Sequence, residues 1–430
     1  MDEIVQEPAN NENKNLPETF WLLYELLEEF LSICEKHNLP IFLEWGTLIG
    51  YMRHRNIIPW DYDGDFSIIG NKQTILDIFE KEKTLNFLID DAEYNDEGCI
   101  VLRHKNNPEI YMDICFFEEK QDLVDSKMSR KTKDECRAVD GYTYIKELFF
   151  PLKEVIFLGH HAYIMNNADY FLRREYNDWT IPPKNFENFV QDKFMKSPFI
   201  DVTEMKINSI DEILETAKTS KVPFVVRDAS FFNVSEEHFA NLINNNKGEI
   251  YGYEKEFNNR DPERTVVDQK LAWQKFKDRT LVINAVDSKA TDTTLLPEKW
   301  KNRVEEVLKD EKEEVLSYIL TVAPKITEFH TDHFTDEKIE SGRWMKLLKG
   351  NKIWWMITKE DLFYFFNKGY KMEDFDKITM SKLLRLENNY LFGKVLTVRL
   401  KDGDFIWFPD RCAHKVFTIE DSYGFEGYLA

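Results

Sequence analysis

Apolar residues recur at helical spacing from Phe20 through Leu23, Tyr24, Leu27, Phe30 and Leu31 to Cys34. That period, opened by Pro17 and Glu18, predicts an amphipathic helix facing a core. Leu39-Pro40-Ile41-Phe42-Leu43 then reads as a short strand, and Gly46-Thr47 with Gly50 as a tight turn. Beyond it the pattern changes to strict alternation, with acids at Asp61, Asp63 and Asp65 in a run ending at Ile69. Gln73 to Lys83 reads as a helix, and Cys99–Arg103 and Ile110–Phe117 as strands. From about residue 220 short β-prone runs take over: Val222–Asp228, Thr280–Asn284, Thr327–Phe329, Lys352–Ile357, Val395–Leu400 and Asp404–Phe408. A charged amphipathic stretch, Lys301–Tyr318, is expected to be a connecting helix. The chain therefore reads as α+β. An N-terminal α/β domain (residues 17–183) leads through a linker (184–219) to a double-stranded β-helix, or jelly roll (220–430). Residues 1–16 read as a disordered N-terminus.

The alternating acids are the first candidate chemistry. Three carboxylates on one strand face repel one another unless a cation sits among them. Hard oxygen ligands suit Mg²⁺ or Mn²⁺, with a substrate phosphate completing the shell. The Gly46-Thr47 turn offers backbone N–H groups to an anion, and Arg53, His54 and Arg55 add positive charge beside it. An acidic surface loop is the other reading of the same triplet. Asp113 lies inside the apolar run Ile110–Phe117, where a buried acid needs a partner.

Gly46-Thr-Leu-Ile-Gly50, Arg53 and Ile58-Pro-Trp-Asp-Tyr-Asp-Gly-Asp65 resemble the signature of the LicD/fukutin family of nucleotidyltransferase-fold enzymes. The resemblance spans residues 17–183. It implies a divalent-metal site at Asp61, Asp63 and Asp65, with Asp113, in a Tyr-x-Asp-Ile run, as a further ligand or general base. It implies substrate contacts at Gly46, Thr47, Arg53, Lys153 and Arg173, and a CDP-alcohol donor. Lys153 and Arg173 read equally as solvated surface charges. Gly64 stands where the family usually has Ile or Val, which suggests a bulge and leaves the ligand pair open between Asp61/Asp63 and Asp63/Asp65.

The second candidate chemistry joins Thr327-Glu-Phe-His-Thr-Asp332 to His414. His-x-Asp puts two ligands on one strand face, and a distant His supplies a third. Two imidazoles and one carboxylate hold Fe(II) with open positions for a keto acid and O₂. A lysine such as Lys352 can pair with the far carboxylate of that acid. The order Thr-x-x-His-x-Asp, Leu-x-Gly-x-Lys-Ile, Gly-Asp-x-Ile-x-x-Pro and His resembles the Jumonji C (JmjC) family of 2-oxoglutarate oxygenases over residues 220–430. On that resemblance His330, Asp332 and His414 are iron ligands, and Thr327, Lys352 and Tyr318 are 2-oxoglutarate contacts. His333-Phe334 replaces the Gly-Gly that follows the acid in the demethylases. The resemblances together imply a bifunctional enzyme, a phosphotransferase fused to a dioxygenase acting in turn on a protein or glycan acceptor. The alternative is a histone lysine demethylase or hydroxylase with a non-catalytic LicD-like domain.

Composition limits the partners. The 430 residues carry a formal net charge of -21, which disfavours nucleic acid and suits a basic polypeptide. The five cysteines are scattered without a CxxC pair, which reads as a reduced set. The first residues have no apolar leader, and no run is long enough to cross a bilayer. A cytoplasmic or nuclear location is the corresponding expectation.

Overall fold

A computed structural model describes residues 17–82, 87–90, 99–120, 123–126, 143–181, 197–231, 233–245, 250–254, 265–283, 298, 316–331 and 342–429. The chain divides into two compact units. The first is residues 1–198 with Thr379–Gly393, and the second is Phe199–Ile378 with Lys394–Ala430.

In the first unit, the expected amphipathic helix is α1 (Glu18–Lys36), which buries Phe20, Leu23, Tyr24, Leu27, Phe30 and Leu31. The strands are β1 (Ile41–Leu43), β2 (Asp63–Ile69), β3 (Phe87–Asp90), β4 (Cys99–His104), β5 (Asn107–Lys120), β6 (Leu123–Ser126), β7 (Thr143–Ile145), β8 (Lys153–Phe157) and β9 (His160–Ile164). They form one sheet in the order β3-β4-β5-β2-β1-β9-β8, with β6 and β7 extending from β5. The acidic strand β2 is thus internal. It pairs in parallel with β5 from Asp63 opposite Tyr111 to Ile69 opposite Phe117.

That ladder has no register shift, so the bulge expected at Gly64 is absent. Gly64 is small for another reason. A Cβ there would stand 2.7 Å from Leu27 Cδ2 of α1, so the helix fills the space that a branched residue would take. Strand alternation then sends Gly64, Phe66 and Ile68 towards the helix, where Phe66 meets Phe30, and Asp63, Asp65 and Ser67 to the other face.

The expected glycine turn is instead the start of a helix, α2 (Trp45–His54). Gly50 is needed inside it because a Cβ would lie 2.5 Å from the Asn56 carbonyl oxygen. Cys99 and Cys115 face each other across β4 and β5 with Cα atoms 4.2 Å apart, and they form a disulfide. The reduced set read from their sequence spacing does not hold at this pair, because sheet pairing makes neighbours of residues that spacing keeps apart. Cys34 and Cys412 are buried.

The Met380–Asn389 helix belongs to this first unit. The buried Glu28 carboxylate accepts hydrogen bonds from the backbone N–H groups of Met380 and Ser381. It thereby satisfies donors that a helix start leaves unpaired. Arg385 pairs with Glu18 and Glu25 and lies 5.5 Å from the centre of the Trp21 ring.

The second unit is built on β10 (Phe199–Asp201), β11 (Thr203–Glu204), β12 (Phe224–Val226), β16 (Leu316–Thr321), β17 (Lys325–His330), β18 (Gly342–Ile357), β19 (Val395–Leu400), β20 (Phe405–Pro409) and β21 (Ala413–Leu429). A separate three-stranded sheet comprises β13 (Ile250–Glu254), β14 (Thr265–Val267) and β15 (Leu281–Ile283). Strand β18 pairs with β21 along its length and with β20 and then β19 on its other edge. Strand β21 continues to β17 and β16. The resulting sheet is nearly closed and barrel-like, which is compatible with a jelly roll.

One side of it packs Tyr318, Trp344, Phe405 and Phe425 against helical residues such as Phe239 and Phe276. The other gathers Ile319, Met345, Trp354, Met356, Ile406 and Val416. The end of the expected Lys301–Tyr318 helix is therefore strand. Leu316–Thr321 alternates between these two cores, and burial on both faces outweighs the helical period read upstream. Residues 301–315 lie outside the described residues, as do 1–16.

We predict that Glu28→Ala lowers the opening free energy of the Met380–Asn389 helix by about 1–3 kcal/mol, since two buried N–H groups lose a charged acceptor. Faster amide exchange confined to that helix and α1 would show it.

Candidate functional site

The parallel pairing of β2 and β5 sets Asp65 opposite Asp113 and Asp63 opposite Tyr111. Paired residues share a face, so Asp63, Asp65 and Asp113 lie together, with Asp61 just before the strand. Asp113 is buried. Helix α2 begins over this group. Gly46 N–H donates to Asp65 Oδ2 at 2.9 Å, and Asp65 N–H donates to Thr47 Oγ1 at 2.8 Å. The N–H expected to meet a substrate anion thus meets Asp65. A Cβ on Gly46 would come 3.1 Å from Asp65 Oδ2 and 3.2 Å from Asp61 Oδ2, so glycine keeps the space between the two carboxylates open.

Electrostatics follow from this crowding. Burial, then the charges of Asp63 and Asp113, push the Asp65 carboxyl well above the usual range, against the lowering effect of its two backbone bonds. Burial pushes Asp61 up as well, helped by its contact with Asp63 and the charge of Asp65. Behind them Glu44 is fully buried and accepts from the Ser67 hydroxyl; burial raises its carboxyl to about 8. Glu44 belongs to none of the sequence motifs, yet it caps the same helix and bonds to the same strand. Among the described residues, no three His, Cys, Asp or Glu are already gathered into a metal cage. The donor set nonetheless fits a hard divalent cation: only oxygen ligands, mutual repulsion that positive charge relieves, and a glycine-lined opening.

The basic candidates divide. Arg53 is close enough for the Asp61 charge to act on its guanidinium, and it also bonds His54 at 2.8 Å and the Trp179 carbonyl at 3.4 Å. Lys153 bonds the Asn166 carbonyl. Arg173 pairs with Asp169 at 2.9 Å on an exposed helix face. The structure therefore brings Arg53 to the carboxylates and directs Lys153 and Arg173 elsewhere.

In the second unit, three alternate rungs across β17, β21 and β18 carry the candidates, with a register shift in β17 between Thr327 and His330. They are His330–His414–Met356, Thr327–Val416–Trp354 and Lys325–Thr418–Lys352. The His330 and His414 ring centres are 4.2 Å apart. His330 Nδ1 lies 2.8 Å from the Glu328 carbonyl and His414 Nδ1 3.2 Å from that of Cys412. A carbonyl can only accept, so Nδ1 of each ring carries a proton. An imidazole pair of this kind is compatible with several transition metals. Asp332 lies outside the described residues, as does His333.

Lys352 is buried and donates to Thr321 Oγ1 and Thr418 Oγ1, both at 3.1 Å. Burial lowers its ammonium to about 7. Thr327 is on the middle rung, and Thr321 and Thr418, which the sequence motifs missed, hold the lysine. Tyr318 does not join them. It sits on the opposite face among Phe239 and Phe425, while Thr321 shares the inner face with Ile319.

Residues 38–167 match the family described as LicD/FKTN/FKRP, nucleotidyltransferase domain. A LicD-family domain is supported there. The lipopolysaccharide cholinephosphotransferase LicD of Haemophilus influenzae is 33% identical over 69 residues, 16% of this chain and 26% of that protein. The protein RP689 of Rickettsia prowazekii, named as uncharacterized, is 27% identical over 162 residues, 36% of this chain and 54% of that protein. RT0683 of Rickettsia typhi, also named as uncharacterized, is 40% identical over 47 residues, 11% of this chain and 15% of that protein. The matched segments thus span between about one seventh and about half of these relatives. Among the described residues, no helix is long and apolar enough to cross a membrane.

Lys352 sets a pH dependence. Its folded form prefers to be neutral above pH about 7, whereas the unfolded lysine holds its proton to about 10.5. Unfolding in that window takes up a proton, so stability rises with pH by about 1.4 kcal/mol per unit. Lys352→Met is expected to lower the slope by that amount in denaturant titrations from pH 7 to 10, leaving the part that Lys346, lowered by burial to about 8, contributes above pH 8.

Proposed function

We propose that the first unit transfers a phospho-linked group from a nucleotide-activated donor of the CDP-alcohol class to an acceptor hydroxyl. The observation that carries this reading is the opposition of Asp65 and Asp113 on parallel strands beside Asp63, under a helix start that glycine opens. The family match over residues 38–167 and the cholinephosphotransferase relative support the donor class.

Asp63 and Asp65 would hold Mg²⁺ or Mn²⁺, with Asp61 at its edge. The ion supplies charge neutralisation on the donor phosphates. Asp113 completes that set or takes the proton from the acceptor hydroxyl. The α2 N-terminus orients Asp65 through Gly46 and Thr47, and Arg53 adds positive charge near Asp61. Catalysis then rests on positioning and electrostatics. Release of CMP from CDP-choline or CDP-ribitol, with Mg²⁺ or Mn²⁺ and mixed acceptors, tests it. Asp63→Asn and Asp65→Asn are each expected to lower turnover by about 100-fold or more, the scale of losing one positioned electrostatic contact. Unchanged turnover in both variants would refute the assignment.

A second reading concerns the other unit, and the aligned His330 and His414 favour it. Those histidines with Asp332 would hold Fe(II), which supplies O₂ activation for a 2-oxoglutarate-dependent hydroxylation or demethylation. Lys352, with Thr418, Thr321 and the neighbouring Thr327, would receive the far carboxylate of 2-oxoglutarate. A hydroxyl made there would be a natural acceptor for the transferase, on a protein or glycan substrate. Succinate formation from 2-oxoglutarate by anaerobically loaded protein should fall to background in His330→Ala, and no succinate in the unaltered protein would dispose of the reading.

A further inference from the structure

Tyr62 is a large aromatic residue left 54% exposed between Asp61 and Asp63. It precedes the first residue of β2, so strand alternation does not fix its direction. Two hydrogen bonds hold it in place: Asp61 Oδ1 accepts from Tyr62 N–H at 3.2 Å, and the Tyr62 carbonyl accepts from Tyr111 N–H at 3.3 Å. The Tyr62 ring consequently lies 6.0 Å from the Tyr111 ring. Tyr111 in turn is opposite Arg103 in the β4–β5 ladder, whose guanidinium is 5.1 Å from the centre of the Tyr111 ring. Arg103 is tethered by Asp90 at 3.2 Å and by the Pro108 carbonyl at 3.1 Å. A row of Arg103, Tyr111 and Tyr62 therefore crosses three adjacent segments and ends beside the carboxylates.

We propose that this row seats the nucleobase of the donor, stacked on the open face of Tyr62 while its phosphates lie towards Asp61, Asp63 and Asp65. The inference rests on the transferase reading above and adds where the donor's base is held. Every base has a π-face, and an aromatic ring offers it stacking without a specific hydrogen-bond pattern. Tyr62 acts as a binding and specificity residue, and the acids keep the chemistry.

Calorimetric titration of the full chain with Mg²⁺ tests this with three probes: CDP, inorganic pyrophosphate and phosphocholine. Tyr62→Ala is expected to weaken CDP about 10-fold or more, on the scale of one lost base stack, and to leave pyrophosphate within about 2-fold. Tyr62→Phe keeps the stacking surface and should bind CDP like the unaltered chain. Thermal unfolding of each variant establishes that the fold is intact, which the exposure of Tyr62 favours. Equal losses for CDP and pyrophosphate, or no loss for CDP, overturn the proposal while leaving the transferase reading in place. A loss confined to phosphocholine assigns the rings to the alcohol and also overturns it. If the unaltered chain binds neither CDP nor pyrophosphate with metal present, the transferase reading falls and the base seat with it.

Discussion

The repulsion between Asp65 and Asp113 is the constraint around which the first unit is arranged. Parallel pairing of β2 and β5 forces the two acids side by side, and burial removes the water that would screen them. Such a pair is tolerable when donors and cations surround it. The first turn of α2 provides the donors through Gly46 and Thr47, and that is why a helix begins where glycine and threonine alone suggest a loop. The helix α1 closes the opposite face, with Leu27 against Gly64 and Phe30 against Phe66. One side of β2 is thus dry and aromatic while the other is polar. The contrast keeps the carboxylates on one side and resists a register slip that would bury them in the core.

The second unit solves a different problem, how to hold basic groups inside a sheet. Lys352 is fully enclosed, and two threonine hydroxyls from two other strands answer two of its three N–H donors. The histidine rung is stiffened differently. The Trp354 ring stacks on His414, and backbone carbonyls fix Nδ1 of both imidazoles. Each device orients a polar group inside the sheet.

The strong periodicities were legible in the chain. The helical stripe from Phe20 to Cys34, the alternation of acids and the apolar run around Asp113 each specify their element through burial alone. What was not legible depends on pairing between distant strands. Neither the opposition of Cys99 and Cys115 nor the exclusion of Tyr318 from the Lys352 pocket is written in local sequence, since both depend on register. Thr321 and Thr418 escaped notice because hydroxyls are common and their relevance appears only once Lys352 is seen between them. Glu44 was missed because a single acid before a tryptophan carries no motif, although its place at the helix start makes it a neighbour of Ser67.

The Thr379–Gly393 segment packs with the first unit although some 180 residues of the second unit separate the two along the chain. During synthesis from the N-terminus, therefore, α1 leaves the ribosome long before the helix whose first amides the Glu28 carboxylate receives. Until then a buried-type carboxylate and the Trp21 surface are open to solvent and to chaperones. Long-range closure of this kind is slow, because the intervening chain must be ordered or spanned first. Completion of the first unit is thereby timed by translation of the second, and a ribosome stalled before residue 380 would carry an unfinished first unit.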